Sequence, residues 1–191
     1  MKKCSLAIFA SGNGSNAENL FRYFKNHSQI EVRMLVTNKS DAPVIEKAQQ
    51  ASIPTHVIKN EQIESGTAVL DLLHANHIDW IILAGFLRKI PANITQHFSD
   101  RIINIHPSLL PKFGGKGMYG MHVHRAVSEA GETVSGITIH LVNEDFDKGR
   151  ILAQFSTPIT SHEAPESIAS KIHELEHAHF PYIVEQTIQQ H

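Results

Sequence analysis

"CSLAIFASGNGSN", Cys4 to Asn16, joins an apolar run to a turn-rich loop within thirteen residues. The run carries no alternation of polar and apolar side chains. It therefore reads as a strand buried on both faces, as parallel strands under helices are. The seven residues from Ala10 hold two glycines, two serines and two asparagines. Helix-like spacing then begins at Asn16. A buried strand, a glycine turn and a helix together form the opening unit of a parallel α/β sheet.

The same text recurs outward from this stretch. "EVRMLVTN", "THVI", "DWIILAGF" and "RIINIHP" are further apolar runs that end in turn residues. Between most of them lie helix-like stretches, Asn16 to Asn26, Ala42 to Ala51 and Gln62 to Asn76, with Pro43 marking a helix start. After residue 106 the pattern changes. "HPSLLPKFGGKGMYG" is too rich in Pro and Gly for a regular element, and a short helix near Met121 to Ala130 follows. Ile137, Ile139 and Leu141 alternate with Thr138, His140 and Val142, which predicts a half-buried strand. "RILAQFSTPI" is its hairpin partner. The C-terminal stretch reads as one long helix, kinked at Pro181. The fold class expected is an open, mostly parallel, twisted α/β sheet with helices on both faces. A late antiparallel hairpin and a long C-terminal helix complete it.

Bulk composition excludes several classes. The chain has 191 residues, 41% apolar and 19% charged, the profile of a globular domain. A formal net charge of -2 gives no basic footprint for nucleic acid. No apolar run approaches the ~20 residues of a membrane span. "MKKCSLAIFASG" is too short for a signal peptide and reads as a first strand. One cysteine, Cys4, allows no internal disulfide and fits a reducing, cytoplasmic setting.

Three groups follow predicted strand ends, where ligands of such sheets bind. In the first, Gly12 and Gly14 let a ligand approach the backbone. Ser15 or Asn16 would cap the next helix, whose first N–H groups suit a phosphate. The spacing matches neither a P-loop nor a dinucleotide fingerprint, so an ordinary strand-to-helix turn is the competing reading. In the second, Asn104 and His106 lie two apart and share one face of a strand. An amide N–H can hold a developing oxyanion and an imidazole can move a proton near neutral pH. A strand ending in a plain His-Pro turn accounts for them equally well. In the third, "EDFDKG" offers Glu144, Asp145 and Asp147, any of which could orient His106, while acidic turn residues are usually solvated. Among the 14 histidines, His122/His124 and His173/His177 are paired in sequence. A zinc site needs three or four ligands, and no HExxH or Cys/His knuckle is present, so no metal is expected.

Taken together, "SGNGSN", "LAGFLRKI", "NIHPSLLPKF", "DKG" before "ILAQ", and "LEHAHFP" resemble the folate-dependent formyltransferases over nearly the whole chain. SGNGSN is similar to the branch with a nucleotide substrate rather than to the relatives that formylate methionyl-tRNA. The resemblance implies one Rossmann-like formyltransferase domain over 1–191. Its phosphate-binding half would span about 1–100 and its folate and catalytic half about 101–191. It implies transfer of a formyl group from 10-formyltetrahydrofolate, a co-substrate, to the amine of glycinamide ribonucleotide, in purine biosynthesis. Asn104, His106 and Asp147 would be the catalytic trio. Asn13, Gly14, Ser15 and Asn16 would hold the substrate phosphate, and Glu176 its ribose and glycinamide end. Leu87, Arg88, Lys89 and Ile90, with Asn104, Val142, Asn143 and Glu144, would line the folate pocket. The partners implied are these two small molecules, with no nucleic acid and no membrane, on a monomer or homodimer.

The chain departs from the family pattern in three places. "DKGR" stands where the family usually reads Asp-Gly-Gly-Pro. "KFGGKGMYGMHVH" is longer than in many members and is expected to form a surface loop. A phosphate-binding arginine of the third βα region has no clear match near "KNEQIESG". The alternatives are a formyltetrahydrofolate hydrolase, another formyltransferase of sugar amines or tRNA, and a non-catalytic nucleotide-binding module. The hydrolase carries an extra N-terminal domain and the tRNA enzyme a C-terminal one, and 191 residues are expected to hold neither.

Overall fold

The computed structural model describes residues 3–191; Met1 and Lys2 of the expected domain lie outside the described residues. Seven strands take the order β3-β2-β1-β4-β5-β6-β7. The chain divides into two compact units, Met1–Ile103 and Asn104–His191.

In the first unit, β1 (Cys4–Phe9), β2 (Ile30–Thr37), β3 (Thr55–Val57) and β4 (Trp80–Leu83) pair in parallel. Leu6 to Phe9 and Trp80 to Leu83 are buried without alternation, as the central strands of a covered sheet require. Helix α1 (Ser15–Phe24) buries Ala17, Leu20, Phe21 and Phe24, one stripe at helical spacing. Helix α2 (Val44–Gln50) starts after Pro43, as the sequence predicts.

Two local expectations are corrected here. The stretch Gln62 to Asn76 is two helices, α3 (Asn60–Ser65) and α4 (Thr67–Ala75). Gly66 separates them at φ 73°, closing α3 with its N–H on the carbonyls of Gln62 and Ile63. A side chain there would also overlap Asn93. Neither Ser15 nor Asn16 caps α1. The cap position is Gly14, left-handed at φ 72°, with no side-chain cap bond. A further helix, α5 (Ala92–His97), follows Pro91 where the sequence predicts none.

In the second unit, β6 (Val134–Leu141) and β7 (Ile151–Pro158) form the expected antiparallel hairpin. Strand β6 is buried from Ser135 to Leu141 rather than half-buried. Thr138 and His140 find partners inside, whereas the buried Ser135 hydroxyl has none. The Thr138 hydroxyl donates to the Ser108 carbonyl at 2.7 Å and accepts from the Leu110 N–H at 2.9 Å. The exposed alternation falls on β7, the last strand in the order. Helix α6 (Met121–Glu129) and helix α7 (Pro165–Gln190) pack together, and α7 covers β6 and β7. Pro165 opens α7 at its first turn, and the helix continues through the buried Pro181.

Candidate active site

In the first unit, β1 delivers the glycine loop. Gly14 is obligatory for two reasons: its φ is left-handed, and a Cβ there would overlap the Val44 side chain. The Gly12 carbonyl accepts the Val44 N–H at 3.2 Å, which pins the loop to α2. An α-helix leaves its first N–H groups without intrahelical acceptors. In α1 those groups sit behind a glycine, which has no side chain of its own to cap them. Asn13 is exposed, Gly14 and Ser15 are half-buried, and Asn16 is buried. This arrangement offers backbone donors and a positive helix end to an anion.

The segment after β4 lies close to the same loop. Phe86 packs edge-on against Phe9 with ring centroids 5.2 Å apart. Ile90 is buried, while Leu87, Arg88 and Lys89 are exposed. The Leu87 N–H donates to Ser11 Oγ at 3.0 Å, and the Ser11 N–H donates to the Gly85 carbonyl at 3.1 Å. Ser11 thereby joins the glycine loop to the Leu87–Ile90 segment, a role the sequence reading missed.

In the second unit, β5 (Ile102–His106) carries Asn104 and His106 on one face by its period of two. His106 is buried at 4% exposure. Its Nε2 lies 2.8 Å from the Phe113 carbonyl, which can only accept, so Nε2 carries a proton. Its Nδ1 lies 3.7 Å from Asp147 Oδ2. Both ring nitrogens face acceptors, a geometry suited to imidazolium. Burial works against that charge and wins: it holds His106 below the ordinary histidine value, although Asp147, the Phe113 carbonyl and Glu176 act to raise it. The expected carboxylate effect on His106 is therefore present but outweighed.

Asp147 is the one acidic residue of its turn set against the imidazoles. Burial acts to raise its pKa, but the His140 imidazole, the Gly115 N–H and His106 together bring it below the ordinary value. The Gly115 N–H donates to Oδ2 at 2.8 Å. Val142 is half-buried, and Asn143, Glu144 and Asp145 are exposed. Lys148, in the position where the family usually has glycine, points outward and pairs with Asp145 at 3.7 Å. Gly149 is fixed by packing, since a Cβ there would overlap the Leu141 carbonyl oxygen.

His140, which no motif in the sequence singles out, stands against both Asn104 and Asp147 in this unit. Its Nδ1 donates to the Leu141 carbonyl at 2.8 Å, so in the neutral ring Nε2 accepts from Asn104 Nδ2 at 3.1 Å. Asp147 Oδ1 is 3.6 Å from the same Nε2. The available signal was a histidine in a strand whose neighbours are all apolar or small. Glu176, on α7, lies 3.2 Å from His173 Nδ1, and its charge acts on both His106 and His124. His124 is buried, and its Nδ1 has no hydrogen-bond partner. Among the described residues no group of three or more His, Cys, Asp or Glu is placed to hold a metal.

This geometry can polarise a carbonyl with an oriented amide and exchange a proton through a buried imidazole. Known proteins similar to this chain identify its family. Residues 4–184 match the formyl transferase family. The phosphoribosylglycinamide formyltransferase of Bacillus subtilis (strain 168) is 37% identical over 193 residues, covering 98% of this chain and 95% of that protein. The chloroplastic phosphoribosylglycinamide formyltransferase of Arabidopsis thaliana is 41% identical over 189 residues, 96% of this chain. The chain spans only 65% of that plant protein's length. The crystal structure of phosphoribosylglycinamide formyltransferase from Anaplasma phagocytophilum superposes with a TM-score of 0.89 at 31% identity. It covers 99% of this chain and 89% of that one.

Proposed function

The chain belongs to the formyl transferase family, and from that premise we propose that it formylates the amine of glycinamide ribonucleotide, with 10-formyltetrahydrofolate as donor. The products are N-formylglycinamide ribonucleotide and tetrahydrofolate, a step of purine biosynthesis. One observation carries the reading: Asn104, His106 and Asp147 converge in a chain whose glycine loop has the donor geometry for a phosphate.

The folate co-substrate supplies the formyl carbon. As the amine attacks it, negative charge builds on the formyl oxygen. Asn104 spends one amide N–H on His140 and has a second for that oxygen. The C–N10 bond then breaks: the amine, now bonded to the formyl carbon, gives up one proton through His106, and the departing N10 takes one from it, so that no net proton is gained or lost. Nε2–H of His106 is held by the Phe113 carbonyl, so the acceptor takes the place of that carbonyl at the moment of transfer. Asp147 stabilises the imidazolium against the burial that disfavours it. Asn13, Gly14, Ser15 and Asn16 bind the 5′-phosphate, and Glu176 the ribose and glycinamide end. Leu87 to Ile90 and Val142 to Glu144 bind the folate. We assign the protein to the cytoplasm, as a monomer or homodimer; among the described residues no helix is long and apolar enough to cross a membrane.

The test supplies both substrates and follows tetrahydrofolate release. Release that depends on glycinamide ribonucleotide is expected. Release without the amine would make the protein a formyltetrahydrofolate hydrolase. Phosphate-dependent binding with no turnover would make it a nucleotide-binding module.

A further inference from the structure

A chain of side-chain hydrogen bonds crosses the carboxyl ends of the four parallel strands of the first unit. Ser11, just past β1, donates from Oγ to Asn38 Oδ1 at 2.7 Å. Asn38, just past β2, donates from Nδ2 to Asn60 Oδ1 at 3.0 Å. Asn60 opens α3, just past β3. The same Oδ1 accepts Arg88 Nε–H at 2.8 Å, from the segment past β4. The Leu87 N–H closes the circuit on Ser11 Oγ at 3.0 Å.

Both ends of this chain are groups that only donate, a backbone N–H and a guanidinium N–H. That fixes the direction of every bond between them. Asn60 must turn its oxygen to Arg88, so Asn38 must turn its amide nitrogen to Asn60 and its oxygen to Ser11. Ser11 then gives its one proton to Asn38 and accepts from Leu87. No alternative amide orientation satisfies all five residues. Ser11 is fully buried, Asn38 and Asn60 are half-buried, and Arg88 is exposed. The circuit thus runs from the base of the glycine loop to a solvent-facing guanidinium.

We infer that Asn38 and Asn60 are positioning residues that hold the glycine loop and the Leu87–Arg88 segment in fixed register for the two substrates. This rests on the proposed function, in which the first loop takes the nucleotide phosphate and the second the folate. Neither asparagine needs to touch a substrate. Asn38 acts on both loops through Ser11, and Asn60 acts on the Arg88 end. Asn60 uses only its oxygen in the circuit, so an aspartate can replace it, whereas an alanine cannot. At position 38 both oxygen and nitrogen are used, so aspartate there leaves two oxygens facing each other.

The test compares Asn60→Ala, Asn60→Asp, Asn38→Ala and Asn38→Asp with the unmodified protein, with steady-state constants determined for each substrate and folding checked by thermal melting. Loss of hydrogen bonds of ordinary strength corresponds to about 3- to 10-fold. Asn60→Ala is expected to raise KM for 10-formyltetrahydrofolate by about that factor with kcat within twofold, and Asn60→Asp to restore it. Asn38→Ala and Asn38→Asp are expected to raise KM for both substrates. KM values within twofold of the unmodified protein in Asn38→Ala and Asn60→Ala, or equal losses in Asn60→Asp and Asn60→Ala, would overturn the inference. If Asn38→Ala does not fold, the Asn60 pair decides. An unmodified protein that turns over neither substrate would instead overturn the proposed function.

Discussion

Asn104 Nδ2 and His140 Nε2 are 3.1 Å apart, and this bond orients the amide assigned to the reacting carbonyl. The Leu141 carbonyl holds the other ring nitrogen at 2.8 Å and so sets the tautomer that can accept. Asn104 is therefore aimed by a residue on a different strand, not by its own backbone alone.

Replacing that acceptor isolates its effect. His140→Phe keeps the ring volume and removes the bond. It is expected to lower kcat by about 10-fold, the cost of an amide left misdirected and partly unsatisfied. KM for each substrate should change less than kcat. Steady-state kinetics read the difference, and a kcat within twofold would remove the positioning role of His140.

Asp147 and His106 titrate in the same sense relative to stability, each in its own pH window, because the folded pKa of each lies below its ordinary value. The Asp147 pKa lies below its ordinary 3.8, so its contribution is complete above 3.8 and is lost as pH falls through the lower folded value. Asp147→Asn should therefore destabilise the protein at neutral pH and approach the unmodified protein in acid. Urea titrations across pH 2–6 measure the convergence, about that range being where the unfolded carboxylate titrates. A stability gap that stays constant with pH would contradict it.

The same substitution reports on the imidazole. His106 lies below its ordinary 6.5 because of burial, with Asp147 pulling it back up. Between its folded value and 6.5 the unfolded chain binds more protons, so stability rises with pH across that window and is lost below it. Removing the carboxylate charge should move the His106 titration further down. Its ring protons followed by NMR give the direction, and an upward shift would show that Asp147 does not favour imidazolium.

Gly14→Ala places a side chain at φ 72° and against Val44. The backbone strain alone corresponds to about 1–3 kcal/mol. The variant should melt earlier and bind glycinamide ribonucleotide more weakly, measured by thermal melting with and without that substrate. Unchanged stabilisation by the substrate would argue against phosphate binding at this loop.

Gly149→Ala tests the hairpin turn that presents Asp147. Its Cβ would overlap the Leu141 carbonyl, and relieving that contact costs about 1–3 kcal/mol. Turnover is expected to fall more than stability requires, because Asp147 stands two residues away in the displaced turn. Full turnover at a temperature where the variant is folded would show that the turn tolerates the shift.

Much of this was legible in the residues themselves. Unbroken apolar runs mark β1 and β4 because strands covered on both faces need no polar side. The i, i+2 spacing of Asn104 and His106 puts them on one face because a strand has a period of two. Other features were not legible. The break at Gly66 depends on a left-handed turn packed against Asn93, a residue 27 positions later (93 − 66). The full burial of β6 came from its place inside the sheet, which local alternation does not record.

The sequence alone determined the α/β class, the glycine turn after the first strand and the residue types available for proton transfer, since these follow from local periodicity and side-chain chemistry. Its residue chemistry left Glu144, Asp145 and Asp147 equivalent, the family resemblance singled out Asp147 without a geometric reason, and His140 went unmarked. The tertiary structure supplied that reason. Burial and distance set which carboxylate faces His106 and which imidazole aims Asn104, and both depend on chain segments more than thirty residues apart (140 − 104 = 36; 147 − 106 = 41).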